Sequence, residues 1–315
     1  MKLQPVVPFE PITTDLAPSG ENWAVQVKWD GVRMLVYNDG EAVRLINRKG
    51  NDRTRQYPEF VDTTAYCKAS SVILDGEIIA LEGGKPSFHQ IMKRDSLKRQ
   101  NEIQFALNRV TAIYMVFDVL YRDGEWLTDL PLKERQNILQ EIIVPSEKVQ
   151  LVQNYPDPAQ LFKVMELQGW EGIVCKDLNS VYAPGGKDKR WQKQKISLDL
   201  YAVVGGVTYR DGTVNALLLG LYNERGNLRY IGHAGTGKFT VKDWSSITEL
   251  VEPLLITERP FLNLPERSKG AAWVQPSLTV KVQFLEWTPG GTMRHPVIQS
   301  MANIPPEQCL TTQSL

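Results

Sequence analysis

Cysteine is nearly absent: Cys67, Cys175 and Cys309 stand far apart in 315 residues, with no paired spacing. That argues against a disulfide framework and a cysteine zinc site, and it points to a reducing, cytoplasmic compartment. Histidine is as scarce, and His89, His233 and His295 are too scattered for a metal cluster or a catalytic triad. Neither sign of charge is in surplus, since Lys plus Arg and Asp plus Glu both total 36. A polyanionic partner would have to be met by local clusters. No apolar run approaches the roughly 20 residues of a membrane-spanning helix, so no membrane association is expected. Residues 1–11 hold three prolines, one lysine and no apolar stretch, which does not describe a signal peptide. Repeats and low-complexity tracts are missing too.

What remains is a globular chain, 42% hydrophobic and 23% charged, long enough for two domains. Trp23, Val25 and Val27 alternate with Ala24, Gln26 and Lys28, a period of two that puts Lys28 opposite the apolar face. Residues 32–37 and 42–48 read as a hairpin turned through Asn38-Asp39-Gly40. Further strands are expected at 72–81, 111–121 and 172–176, and helices at 132–143 and 159–167. This mixture predicts an α+β domain built on an antiparallel sheet over residues 1–196. From residue 197 to 315 short strands dominate, at 200–207, 216–222, 228–232 and 278–287, with one helix at 241–254. That pattern predicts a small β-barrel of the OB-fold kind, while residues 258–270 read as irregular.

The most informative stretch is Lys28-Trp29-Asp30-Gly31-Val32-Arg33, a lysine at a strand end followed by a turn and an arginine. Alone it reads as a solvated turn. In order behind it come Asn47-Arg48-Lys49-Gly50, Leu74-Asp75-Gly76-Glu77, Val116-Phe117-Asp118, Glu171-Gly172-Ile173-Val174-Cys175-Lys176 and Trp191-Gln192-Lys193-Gln194-Lys195. The set resembles the covalent nucleotidyltransferase superfamily of ATP-dependent DNA ligases, and is most similar to the ligase module of bacterial end-joining ligases. Asn47 replaces the serine usual in that family. The similarity runs on through Glu286-Trp287-Thr288-Pro289 and Arg294-His295-Pro296 and so covers nearly the whole chain.

The resemblance implies an adenylation domain followed by an OB-fold, and ATP consumed to place AMP on Lys28. A lysine amine attacks only when unprotonated, and nearby cations favour that form; Lys193, Lys195 and a divalent ion are the candidates. Lys193 and Lys195 lie two apart, so a strand turns both ammonium groups to one side of a phosphate. The resemblance makes Glu171 the ligand of Mg²⁺ or Mn²⁺, Phe117 the platform stacking on adenine and Glu77 the acceptor from ribose. It gives Gln26 the adenine edge and Arg33 and Arg48 the phosphates. Lys176 is left open, because strict alternation points it away from Glu171.

The implied activity is sealing of 5′-phosphate/3′-hydroxyl nicks in double-stranded DNA during repair or end joining, by a monomer in the bacterial cytosol or nucleoid. Polymerase or nuclease modules would act in trans, with a Ku-like end-binding protein. An RNA ligase or RNA-capping guanylyltransferase is the nearest rival, and a non-catalytic scaffold on DNA ends a more distant one. Gly232-His233-Ala234-Gly235-Thr236-Gly237-Lys238 imitates a phosphate-binding loop, but Phe239 stands where a hydroxyl is needed and no helix is expected directly behind; a mobile barrel loop is the expectation. Lys93-Arg94 and Lys98-Arg99 read as a basic patch, either solvated or against a DNA backbone. The family's Asp-Lys element after Arg-x-Pro has no counterpart behind Pro296, which predicts slow self-adenylylation beside efficient sealing of pre-adenylated nicks.

Overall fold

The alternation around Lys28 is realised as a strand, Trp23–Val27, whose Val25 and Val27 pack with Ile173 and Cys175 against Leu161 and Met165. The two latter residues come from the helix Pro158–Gln168, which Asp157 caps at its start and a left-handed Gly169 ends. The computed structural model describes residues 3–313 apart from 236, 238 and 267. The chain divides into two units, Met1–Ile196 and Ser197–Leu315.

The first unit holds two principal sheets. One runs Glu10–Thr13, Lys187–Lys195, Gly172–Asp177, Trp23–Val27. The other runs Val149–Leu151, Ile113–Arg122, Val72–Ile79, Val32–Asn38, Val43–Asn47. Neither is purely antiparallel as expected. Glu10–Thr13 pairs parallel with Lys187–Lys195, and Val149–Leu151 parallel with Ile113–Arg122. In the second case the helix Leu132–Ile142 lies between the two strands in sequence and supplies the crossover that a parallel pair requires. The basic patch also needs correction. The helix Phe88–Asp95 leaves Lys93 exposed but buries Arg94 completely. Its guanidinium donates to the carbonyls of Gln56 (2.7 Å) and Val110 (3.1 Å) and pairs with Glu59. Asp95 accepts from Arg53 and Tyr57. Of the four cations read as a patch, Arg94 is internal structure, while Lys93, Lys98 and Arg99 are exposed.

In the second unit Leu228–Ala234, Thr213–Tyr222, Leu198–Arg210, Thr279–Phe284 and Val297–Ala302 pair successively and antiparallel. Ala272–Val274 and Leu255–Ile256 extend the sheet from Leu198–Arg210. A parallel bridge from Gly237 to Ile298 brings the chain beyond the first of the five strands back to the last. Val203, Val207, Leu217, Leu219 and Ile298 fill the core between. A helix does open soon after the glycine-rich stretch, at Val241–Val251, with Thr240 and Asp243 forming a capping box. Thr236 and Lys238 of that stretch, and with them the expected loop, lie outside the described residues. Among the described residues of 258–270 there is no helix or strand, yet Phe261 is buried against Tyr230 and Trp273.

Candidate active site

Register in the first sheet builds the site row by row. Gly172–Asp177 pairs antiparallel with both neighbours, aligning Gln26 with Val174 and Lys193, and Ala24 with Lys176 and Trp191. One row nearer the strand end, the Lys28 amide donates to the Gly172 carbonyl (2.9 Å), and Gly172 aligns with Lys195. Residues two apart share a face, so these rows line one surface, about 7 Å apart. Lys187–Lys195 lies between Glu10–Thr13 and Gly172–Asp177 and is an interior strand. Gly172 has φ 130°, and a Cβ there would lie 2.2 Å from the Gln194 carbonyl oxygen. Only glycine lets the strands close at this row.

At the open end Lys28 Nζ lies 2.5 Å from one oxygen of Glu171, and Lys195 Nζ 3.0 Å from the other. Burial would raise the Glu171 carboxyl, but the two ammonium groups hold it below the ordinary value. Lys193 is pushed down, chiefly by burial and then by Lys195 and Lys28. The sequence reading surrounded Lys28 with cations; the structure adds the anion that pins it. Glu77, on Val72–Ile79, feels Lys28, Arg33, Glu171 and Asp30, yet desolvation raises it to about 8. At neutral pH its carboxyl is mostly protonated and can donate as well as accept.

The second sheet adds a buried frame. The Arg33 guanidinium is bidentate on Asp75 (2.9 and 2.6 Å) and donates to the Phe9 carbonyl (2.7 Å), while Tyr182 also donates to Asp75 (2.9 Å). Most of the Arg33 donors are thus engaged in the frame. Asp75 is fully buried. Arg48 is exposed, 3.4 Å from Glu10. Asn47, in the serine position, accepts from the amides of Lys49 and Asn51 (both 3.0 Å) and so shapes the turn that carries Arg48. Gln26 is buried and donates to Asn154, which donates to Gln136, both at 2.8 Å. Sequence reasoning missed Asn154, Gln136 and Tyr182. They arrive from distant segments with no local signature.

Lys176 is the least expected group. It shares the face of Lys193 and Trp191, is 97% buried by its 3% exposure, and its Nζ has no hydrogen-bond partner among the described residues. The ammonium sits 3.7 Å from the Phe117 ring centroid and 4.1 Å from that of Trp191. Phe117 thus faces a cation here. Desolvation lowers Lys176 to about 7. Its folded pKa lies below the unfolded value, so between about pH 7 and 10.5 the unfolded chain holds the extra proton and stability rises with pH. In urea melts Lys176→Met should be more stable than the parent at pH 6, with the gap narrowing towards pH 10. A gap independent of pH would contradict the assignment.

Comparison with known proteins bears on this geometry. Residues 6–195 match the model of the ATP dependent DNA ligase domain, and residues 210–303 that of the ATP dependent DNA ligase C terminal region. The chain belongs to the ATP-dependent DNA ligase family. It is 33% identical over 308 residues to the multifunctional non-homologous end joining protein LigD of Mycobacterium bovis, covering 93% of this chain and 39% of that protein. The chain therefore spans about two fifths of that relative's length. The solved ligase domain of M. tuberculosis LigD is 29% identical with a TM-score of 0.53, covering 97% of this chain and 98% of that one. A mycobacterial DNA ligase D solved with ATP and MES is 30% identical with a TM-score of 0.54, at the same coverage. The matched ligase domain ends at Lys195, the last residue of the Lys187–Lys195 strand.

Proposed function

We propose that this chain seals 5′-phosphate/3′-hydroxyl nicks in duplex DNA, in repair or end joining, with Lys28 as the carrier of AMP. The observation that carries the reading is the Lys28–Glu171–Lys195 arrangement at the end of a face that continues through Gln26 and Lys193. Unprotonated Lys28 attacks the α-phosphorus of ATP; the N–P bond forms, the bond to the bridging oxygen breaks, pyrophosphate leaves and the amine proton passes to solvent. AMP then moves to the DNA 5′-phosphate, freeing Lys28, and the 3′-hydroxyl displaces it. Lys193 and Lys195 stabilise charge on the transferring phosphate. Gln26 and Lys176, one and two rows deeper than Lys28, lie where donors can read the base, and Glu77 meets the ribose.

Among the described residues no three His, Cys, Asp or Glu side chains converge. That suits Mg²⁺ or Mn²⁺ held by Glu171 together with substrate phosphates, because Mg²⁺ commonly takes one or two carboxylates and leaves the rest to phosphate and water. When bound, the ion would neutralise phosphate charge. The ring of pairings in the second unit, closed by Gly237 and Ile298, supports an OB-fold, a platform suited to DNA. A Ku-like end-binding protein and a repair polymerase in trans, beside a monomeric ligase in the cytosol, complete the reading.

Exposure to ATP and magnesium should add one AMP to the intact mass, and labelled nicked duplex should then be sealed. With no Asp-Lys element behind Pro296, charging should be the slower step and pre-adenylated nicks should close faster. An adduct with GTP alone would move the chain to the capping class, and no adduct with any triphosphate would remove the covalent mechanism.

A further inference from the structure

Lys28 and Glu171 are each followed or preceded by a tryptophan, and the two indoles meet. The ring centroids of Trp29 and Trp170 lie 5.3 Å apart with the planes 48° from parallel. Both pack on the cluster formed by Val25, Val27, Ile173, Leu161 and Met165. The Trp170 amide donates to the Met165 carbonyl (2.9 Å), so the end of the helix Pro158–Gln168 hands the chain directly to Trp170 and Glu171. On the other strand Trp29 follows Lys28, whose amine touches one oxygen of Glu171 while that of Lys195 touches the other.

The ion pair between Lys28 and Glu171 cannot persist through nucleotide transfer. Lys28 must give up its proton to attack, and its nitrogen is then bonded to phosphorus. What still ties the two segments at this row is the hydrogen bond from the Lys28 amide to Gly172 and the contact between the indoles. We propose that Trp29 and Trp170 form a positioning clamp that keeps Lys28 and Glu171 in register after their own side-chain contact is broken. The inference rests on the reading of Lys28 as the AMP carrier. Neither indole is needed to touch nucleotide; each acts through the backbone of its neighbour. The clamp works through ring packing rather than polar contact, because the Trp29 indole N–H is buried without an acceptor among the described residues.

The test is single-turnover charging of the full chain with ATP and magnesium, expressed per folded molecule. A small misplacement of reacting groups costs on the order of 10²-fold, so Trp29→Ala and Trp170→Ala should each lower the maximal charging rate roughly 10- to 100-fold. The ATP concentration at half-maximal rate should stay within about threefold, because the groups proposed to bind nucleotide are untouched. Trp29→Phe and Trp170→Phe should recover the rate to within about threefold, and Trp29→Phe should melt no lower than the parent, having lost an unsatisfied donor. The double alanine variant should be little slower than the slower single, as for two members of one contact. If the alanine variants do not fold, Trp29→Leu and Trp170→Leu, which keep apolar bulk without the ring pair, take their place with the same expected loss. Folded alanine or leucine variants charging at the parental rate, a loss confined to ATP affinity, or two losses that simply multiply would each overturn the clamp. A parent protein that never charges would instead remove the transfer reading itself, so the two failures are distinct.

Discussion

Lys28→Ala is expected to abolish the covalent adduct and to lower sealing of ordinary nicks by on the order of 10⁴-fold or more, because no other amine is placed to replace it. Lys195 is held 3.0 Å from the far oxygen of Glu171, and Lys193 lies a row deeper, beside Gln26 and Val174. Lys176 is buried between aromatic rings. The same variant should still close pre-adenylated nicks, since the final displacement needs the 3′-hydroxyl and not the amine. Intact mass and a paired assay on plain and pre-adenylated duplex separate these outcomes. Unimpaired sealing of plain nicks by Lys28→Ala would end the proposal for this residue. The variant should fold normally, because Lys28 keeps part of its side chain in solvent and Lys195 continues to compensate Glu171.

Asp118→Ala is expected to destabilise the protein by about 3–5 kcal/mol. Asp118 and Arg135 are both wholly buried and bidentate at 2.8 and 2.9 Å. The guanidinium also donates to the Leu130 carbonyl (2.6 Å), but that contact leaves its charge uncompensated. Burial alone would weaken the cation, whereas Asp118 carries Arg135 above its ordinary value. Removing the carboxylate strands a charge that a guanidinium cannot shed. Asp118→Leu combined with Arg135→Met should recover most of the loss, since a buried pair replaced by apolar groups is often neutral. Urea unfolding of the three proteins measures this directly, and a single variant within about 1 kcal/mol of the parent would show the pair to be dispensable. Asp118 follows Phe117 in the motif noted from sequence, so the segment that presents an aromatic face also anchors the helix Leu132–Ile142.

Lys28, Glu171, Lys193 and Lys195 stood out through the ordered motifs that resemble the ligase family, and alternation added only that Lys193 and Lys195 share a face. The register that brings Lys195 to the row of Gly172 is set by strand pairing. The hairpin through Asn38-Asp39-Gly40 was legible from its turn residues and the flanking alternation. The buried ion pairs of Arg33 and Arg94 were not legible, because a side chain's charge says nothing of its burial. The carboxylates that claim them, Asp75 and Glu59, are 42 and 35 residues away.

From the sequence alone came Lys28 as the candidate carrier, the order of motifs and the α+β character of the first unit, since each rests on neighbours along the chain. Only the tertiary structure decided that Lys28 is pinned by Glu171, that Lys176 is buried against Phe117 and Trp191, and that the first unit holds two sheets, each with one parallel strand, in place of one antiparallel sheet. These depend on which distant segments desolvate and pair one another, and pairing energies between buried groups are fixed by ångström distances that no local pattern encodes.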